Sequence, residues 1–138
     1  MLSTTLLVMA YQYIGTPYKW GGNNYDGLDC SGMVLKAMHD VGITLPDMTA
    51  QNLYKWMLRS KFQSCEPEAD CLLFFGKNLD QITHVSIAMN NKYAIESGGA
   101  GKDSLFLDDN ALARLDARCR IKPIDNRRDM IACIKLTY

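Results

Sequence analysis

Gly27-Leu28-Asp29-Cys30-Ser31-Gly32 is the stretch on which the fold turns. It closes a segment, residues 18–29, that holds Gly21, Gly22, Asn23, Asn24, Asp26 and Gly27 and reads as a loop by composition. Beyond it Val34, Met38 and Val41 recur at helical spacing, and Gly42 stands where such a helix should stop. A helix is therefore expected from about Ser31 to Val41, with Cys30 at its start. Backbone N–H groups are unpaired at that end of a helix, and the positive pole of its dipole favours an anion. A thiol there is placed to become a thiolate, although a free cysteine titrates only near about 8.5. The same N–H groups can hold the oxyanion of a tetrahedral intermediate.

Working outward, Ser3 or Thr4 can cap a first helix that ends near Gly15, after which Pro17 forces an extended segment. Leu45-Pro46 closes the Cys30 unit, and Thr49 to about Ser60 reads as another helix with Leu53, Trp56 and Met57 on one side. The character changes after residue 70. Leu72-Leu73-Phe74-Phe75, ended by Gly76, reads as a buried strand. From His84 to Met89 the residues alternate: Val85, Ile87 and Met89 point one way, His84, Ser86 and Ala88 the other. Asn90-Asn91 marks a turn, Tyr93 to Ser97 returns, and Ile131 to Leu136 reads as a closing strand. Between them, residues 102–129 carry little pattern beyond a short helical turn from Ala111 to Ala117. Helices first and antiparallel strands afterwards predict an α+β fold, N-terminal helices packed on a C-terminal antiparallel sheet. No repeat or linker divides the 138 residues, so one domain spanning 1–138 is expected.

Composition narrows the function classes. Fifteen basic and fifteen acidic side chains cancel, which leaves no electrostatic footprint for nucleic acid. Apolar runs fall far short of membrane-spanning length. The apolar start, Met1 to Ala10, has no Lys or Arg and reads as part of the fold, not as a signal peptide. Three settings follow: cytoplasmic, phage-associated, or secreted after removal of a leader. The five cysteines are odd in number and form no C-x-x-C pair, which argues against a disulfide framework and against a structural zinc site.

Among those thiols only Cys30 has a helix start and a glycine-rich approach. Cys133 lies inside an apolar strand, Cys65 and Cys71 read as structural or incidental, and Cys119 sits between Arg118 and Arg120, with no base assigned to it. A thiolate nucleophile works with a histidine, and the chain has two. His39 lies nine residues along the same helix as Cys30, a rise of about 13 Å onto roughly the opposite face. It reads as a surface group near a helix C-terminus. His84, at a strand start beside small Ser86 and Ala88, is the base. Glu96 is the candidate to orient its ring. A hairpin whose paired residue numbers sum to 180 sets Glu96 opposite His84. A two-residue Asn90-Asn91 loop gives a sum of 181 instead and brings Ser97 there.

The run Tyr13-Ile14-Gly15-Thr16-Pro17-Tyr18-Lys19-Trp20-Gly21-Gly22, together with Gly27-Leu28-Asp29-Cys30-Ser31-Gly32, resembles the signature of the NlpC family of cell-wall cysteine peptidases. Leu45-Pro46, Gln51, Leu72 to Phe75 and His84-Val85-Ser86-Ile87 also fit its pattern. The resemblance implies a papain-like fold and hydrolysis of peptidoglycan stem peptides next to γ-linked D-glutamate, through a thioester. It implies a Cys30–His84–polar triad with Glu96 where the family most often has His, and no metal or organic cofactor. It implies further that Tyr18 lies beside the nucleophile and that Asp29 and Ser31 bind a substrate amino group; Asp29 also reads as a helix N-cap. The family usually has Gly-Asp where this chain has Asp70-Cys71, which touches a turn hydrogen bond and not the chemistry. Rival readings are a transacylase or amidase on a non-wall substrate, and a non-catalytic cell-wall-binding or phage structural subunit.

Overall fold

A computed structural model describes residues 5–24, 27–60, 62–100 and 106–136. Among the described residues four α-helices, α1 (Thr5–Tyr11), α2 (Cys30–Asp40), α3 (Ala50–Leu58) and α4 (Asp109–Arg114), accompany eight strands. β1 (Asn23–Asn24) and β2 (Gly27–Leu28) form a small antiparallel pair. β3 (Phe62–Ser64), β4 (Leu72–Gly76), β5 (Ile82–Ala88), β6 (Tyr93–Gly98), β7 (Arg118–Pro123) and β8 (Met130–Leu136) form one antiparallel sheet in the order β3-β8-β4-β5-β6-β7. The α+β expectation is met.

Alternation along the strands splits the sheet into two faces. Leu72, Phe74, Val85, Ile87, Ile95 and Ile134 join the helices in the main core. From the other side Cys71, Leu73, Phe75, Ala88 and Ala94 form a second, smaller cluster. α2 is largely buried: Met33, Val34, Ala37 and Met38 have no exposed surface. It begins at Asp29, whose carboxylate accepts from the Gly32 N–H at 2.6 Å, and stops at Gly42, which adopts a φ of 96°. His39 lies exposed in its last turn, as the spacing predicts. α3 begins at Thr49, whose hydroxyl accepts from the Asn52 N–H at 3.1 Å.

Several elements differ from the sequence reading. α1 gives way after Tyr11 to turns that reach Gly15, where φ is 95°; the proposed caps Ser3 and Thr4 lie outside the described residues. The loop read over 18–29 contains β1 and β2, and Tyr18 bridges to Leu28. The helical turn read over Ala111–Ala117 is present as α4, shifted towards the N-terminus, whereas β7 was not foreseen, its alternation masked by Arg118, Arg120 and Lys122 on an edge strand. Asp70 takes up the left-handed conformation, φ 75°, that a glycine would adopt freely. The turn survives, with Cys71 N–H donating to the Glu68 carbonyl at 3.1 Å, and the Asp70 carboxylate accepts from the Leu7 N–H of α1 at 2.8 Å.

Candidate active site

The start of α2 and the start of β5 meet in a cleft of about 910 Å³. Its walls include Tyr18, Asp29, Cys30, Ser31, His84 and Glu96, so all six residues singled out in the sequence come together.

Cys30 is the first residue of α2 and is half-buried. Two close backbone approaches hold it there. A Cβ on Gly32 would lie 2.1 Å from the Gly22 carbonyl oxygen, and the Asp29 N–H donates to that same oxygen at 3.0 Å. Only glycine lets the 20–22 loop seat on the first helical turn. Asp29 ties the corner together by accepting also from the Gly21 N–H at 3.1 Å and the Ser31 hydroxyl at 3.3 Å. Burial, reinforced by the Asp47 charge, raises the Asp29 pKa against these hydrogen bonds. Asp47 also lines the cleft.

His84 is brought over from the sheet. Gln51 of α3 clamps the approach to β5, accepting from the Ile82 N–H at 2.8 Å and donating to the Leu79 carbonyl at 2.9 Å. The imidazole packs against Phe75, its cross-strand partner, with ring centroids 5.4 Å apart. Its Nε2 lies 3.4 Å from Glu96 Oε1, long for a hydrogen bond but close for an ion pair. Burial opposes a charge on His84, but hydrogen bonding and attraction to Cys30 and Glu96 overcome it and push its pKa up to about 9. Glu96, although buried, is held below the usual carboxylate range by His84 and Arg120. A cysteine, a protonatable imidazole and a carboxylate lining one cleft are the groups that a thiol nucleophile works with.

The β5–β6 register differs from both expectations. Ile87 pairs with Ile95 and Ala88 with Ala94, a sum of 182, because three residues, Asn90 to Lys92, separate the closing pair Met89 and Tyr93. Asn90 holds that loop by accepting from the N–H groups of Lys92 and Tyr93. Continued along the strands, this register sets Gly98 opposite His84 and Glu96 opposite Ser86. The even sum still keeps Glu96 on the His84 face, so it reaches the ring diagonally. Ser97 turns away and donates its hydroxyl proton to the Leu28 carbonyl at 2.6 Å. Gly98 leaves the necessary room: a Cβ there would lie 2.8 Å from Glu96 Oε2 and 3.7 Å from His84 Cε1.

Two arginines were missed in the sequence. Arg120, directly opposite Glu96 on β7, donates to Glu96 Oε2 at 3.2 Å and to the Asp116 carbonyl at 2.7 Å. Arg127, paired with Asp129, lies over the Phe75 ring at 5.2 Å and lines the cleft. Only strand pairing could have revealed Arg120. It is turned towards Glu96, and its neighbour Cys119 is fully buried, its thiol pushed up to about 12 by burial and then by the Glu96 charge. Burial likewise raises Cys71, to about 11, and Cys133. Tyr18 is buried under Leu112 and Ala117, and burial, with Cys30 and Asp29 nearby, drives its pKa well up, so its hydroxyl keeps its proton.

Residues 15–107 match the model of the NlpC/P60 family. The chain is 39% identical over 100 residues to the bifunctional muramidase/DL-endopeptidase CwlT of Bacillus subtilis, covering 70% of this chain but only 30% of that protein. In fold it is similar to the NlpC/P60 domain of the peptidoglycan hydrolase SagA, with a TM-score of 0.71, 22% identity and coverage of 97% and 98% of the two chains. It is equally similar in fold to RipD of Mycobacterium tuberculosis, a non-catalytic NlpC/P60 domain protein adapted to peptidoglycan binding: TM-score 0.70, 16% identity, 100% and 98% coverage.

Proposed function

The chain belongs to the NlpC/P60 family, and on that premise we propose that residues 1–138 form one cysteine endopeptidase domain that hydrolyses peptidoglycan stem peptides next to γ-linked D-glutamate. The observation that supports this most is that Cys30, His84 and Glu96 line one cleft, with His84 3.4 Å from the buried Glu96 and Glu96 itself anchored by Arg120. The DL-endopeptidase CwlT and the peptidoglycan endopeptidase RipA of Mycobacterium tuberculosis support a cell-wall peptide as the substrate class.

In the proposed reaction the Cys30 thiolate attacks the scissile carbonyl carbon and the C=O π pair moves to oxygen. The Cys30 N–H and the Tyr18 hydroxyl donate to that oxyanion. His84, protonated, gives its proton to the leaving amine as the C–N bond breaks and a thioester forms. The neutral imidazole then takes a proton from water, which attacks the thioester and returns the Cys30 thiolate. Glu96 holds the imidazolium and its orientation. Asp29 and Ser31 receive the substrate's amino group, and Asp47 adds a second negative charge at that corner. No step calls for a metal or organic cofactor.

Digestion of purified muropeptides followed by mass spectrometry tests this. The wild type should release products cut at the γ-D-glutamyl bond, and Cys30→Ala should release none while keeping its melting profile. Cleavage at an undiminished rate by Cys30→Ala would sink the thioester route. Intact muropeptides with the wild type, but retention of the protein on insoluble peptidoglycan, would instead indicate a binding role like that of RipD.

A further inference from the structure

The C-x5-C spacing of Cys65 and Cys71 and the lone Cys133 gave no metal signature in the sequence, yet the fold brings the three sulfurs together. Cys133 is on β8, which lies between β3 and β4 in the sheet. Cys65 follows β3 and pairs across to Cys133, its N–H donating to the Cys133 carbonyl at 3.1 Å. Cys71 immediately precedes β4, two residues from Leu73, the register partner of Cys133. Alternation therefore sends all three side chains to the sheet face away from the helices. The Cys65 and Cys133 sulfurs are 3.1 Å apart, and all three lie within 4.8 Å of one another.

We propose that Cys65, Cys71 and Cys133 form a binding site for one thiophilic closed-shell cation, Zn(II) or Cu(I). Zinc–thiolate bonds of about 2.3 Å put tetrahedral ligand sulfurs about 3.8 Å apart, a value between the 3.1 Å Cys65–Cys133 separation and the 4.8 Å within which all three sulfurs lie. Soft thiolates without imidazole or carboxylate select such ions over hard ones. The ladder presets the sulfurs, and Leu73, Phe75, Ala88 and Ala94 wall them on the inner side. Cys71 is fully buried, whereas Cys65 and Cys133 keep part of their surface in solvent, which provides an entry path. That open side would leave a fourth position to water for Zn(II), or none filled for trigonal Cu(I). As each metal–sulfur bond forms, the thiol gives its proton to solvent. None of the three residues lines the Cys30 cleft, so the metal site and the proposed hydrolysis use different side chains.

Metal-free, fully reduced protein should be titrated with Zn(II), and separately with Cu(I), against a competing chelator. One equivalent should bind in at least one arm, and which arm identifies the ion. Cys65→Ser and Cys133→Ser, both at partly buried positions, should each lose that equivalent, whereas Cys30→Ala should retain it. Cobalt(II) loading of the wild type should give an intense sulfur-to-metal charge-transfer band that both serine variants lack. Absence of a bound equivalent in both arms overturns the site. So does one that survives both serine substitutions or vanishes with Cys30→Ala. A Cys65–Cys133 disulfide as the resting state of freshly isolated protein counts equally against it.

Discussion

At the scale of single residues, His84 is caught between burial, which disfavours its charge, and two partners that favour it. The partners prevail and its pKa rises from 6.5 to about 9. A raised histidine contributes stability that is fully present below about pH 6.5 and is lost as the pH rises through about 9. Denaturant midpoints of the wild type and His84→Gln should accordingly draw together as the medium becomes alkaline. Glu96 works in the opposite sense: its lowered pKa contributes above its ordinary value of 4.5 and loses that contribution as the pH falls. In the proposed reaction kcat/KM should decline as pH rises through about 9, when His84 no longer carries the proton for the leaving amine. Glu96→Gln should move that decline to lower pH, because an amide cannot hold the imidazolium charge. An unmoved alkaline limb in the pH–rate profile would mean Glu96 has no hold on the ring. Gly98 is the steric counterpart of this pair. Gly98→Ala should push the Glu96 carboxylate off its place and lower kcat by about 10- to 100-fold with the fold retained, the loss expected for a misplacement of about 1 Å.

At the scale of elements, α2 is positioned from its first turn. The Gly22 carbonyl occupies the space in which a side chain at position 32 would lie, and the clash is with backbone, which cannot swing aside. Gly32→Ala should therefore destabilise the fold by about 1–3 kcal/mol, the range for overpacking, in spite of alanine's better helix propensity. Urea unfolding would measure it; a gain in stability would show that the loop yields. The Asp-Cys-Ser-Gly block is thus a packing device as well as the site of the proposed chemistry: Asp29 caps, Gly32 admits the loop, and Cys30 is left half-buried at the cleft. β6 and β7 do the same service for Glu96 by setting Arg120 directly across from it.

At the scale of the whole molecule, the cleft depends on α3 as well as on the two elements that face each other in it. Gln51 joins α3 to the approach to β5 through two hydrogen bonds. Gln51→Ala leaves the partly buried Ile82 N–H without its acceptor, at a cost of about 1–3 kcal/mol. Amide exchange at residues 82–84 should quicken and kcat should drop more than global stability does. Unchanged exchange there would mean that the sheet alone positions His84.

Much of this architecture was legible from the chain alone, since helical spacing after Cys30, the alternation from His84 and the turn residues are local signals, governed by neighbours within a few residues. They determined the α+β class and the start of α2, and together with the family resemblance they favoured Cys30 and His84 over the other cysteines and His39. What a one-residue change in a loop decides was not legible: the three-residue Asn90–Lys92 connection set the register at 182 and made Glu96 a diagonal partner. Nor were the Glu96–Arg120 pair, the Gly98 vacancy, or the meeting of Cys65, Cys71 and Cys133, whose members are brought together only by strand pairing. Pairing between distant strands is settled by the summed burial and hydrogen bonding of the whole sheet, a quantity that no short stretch of sequence contains.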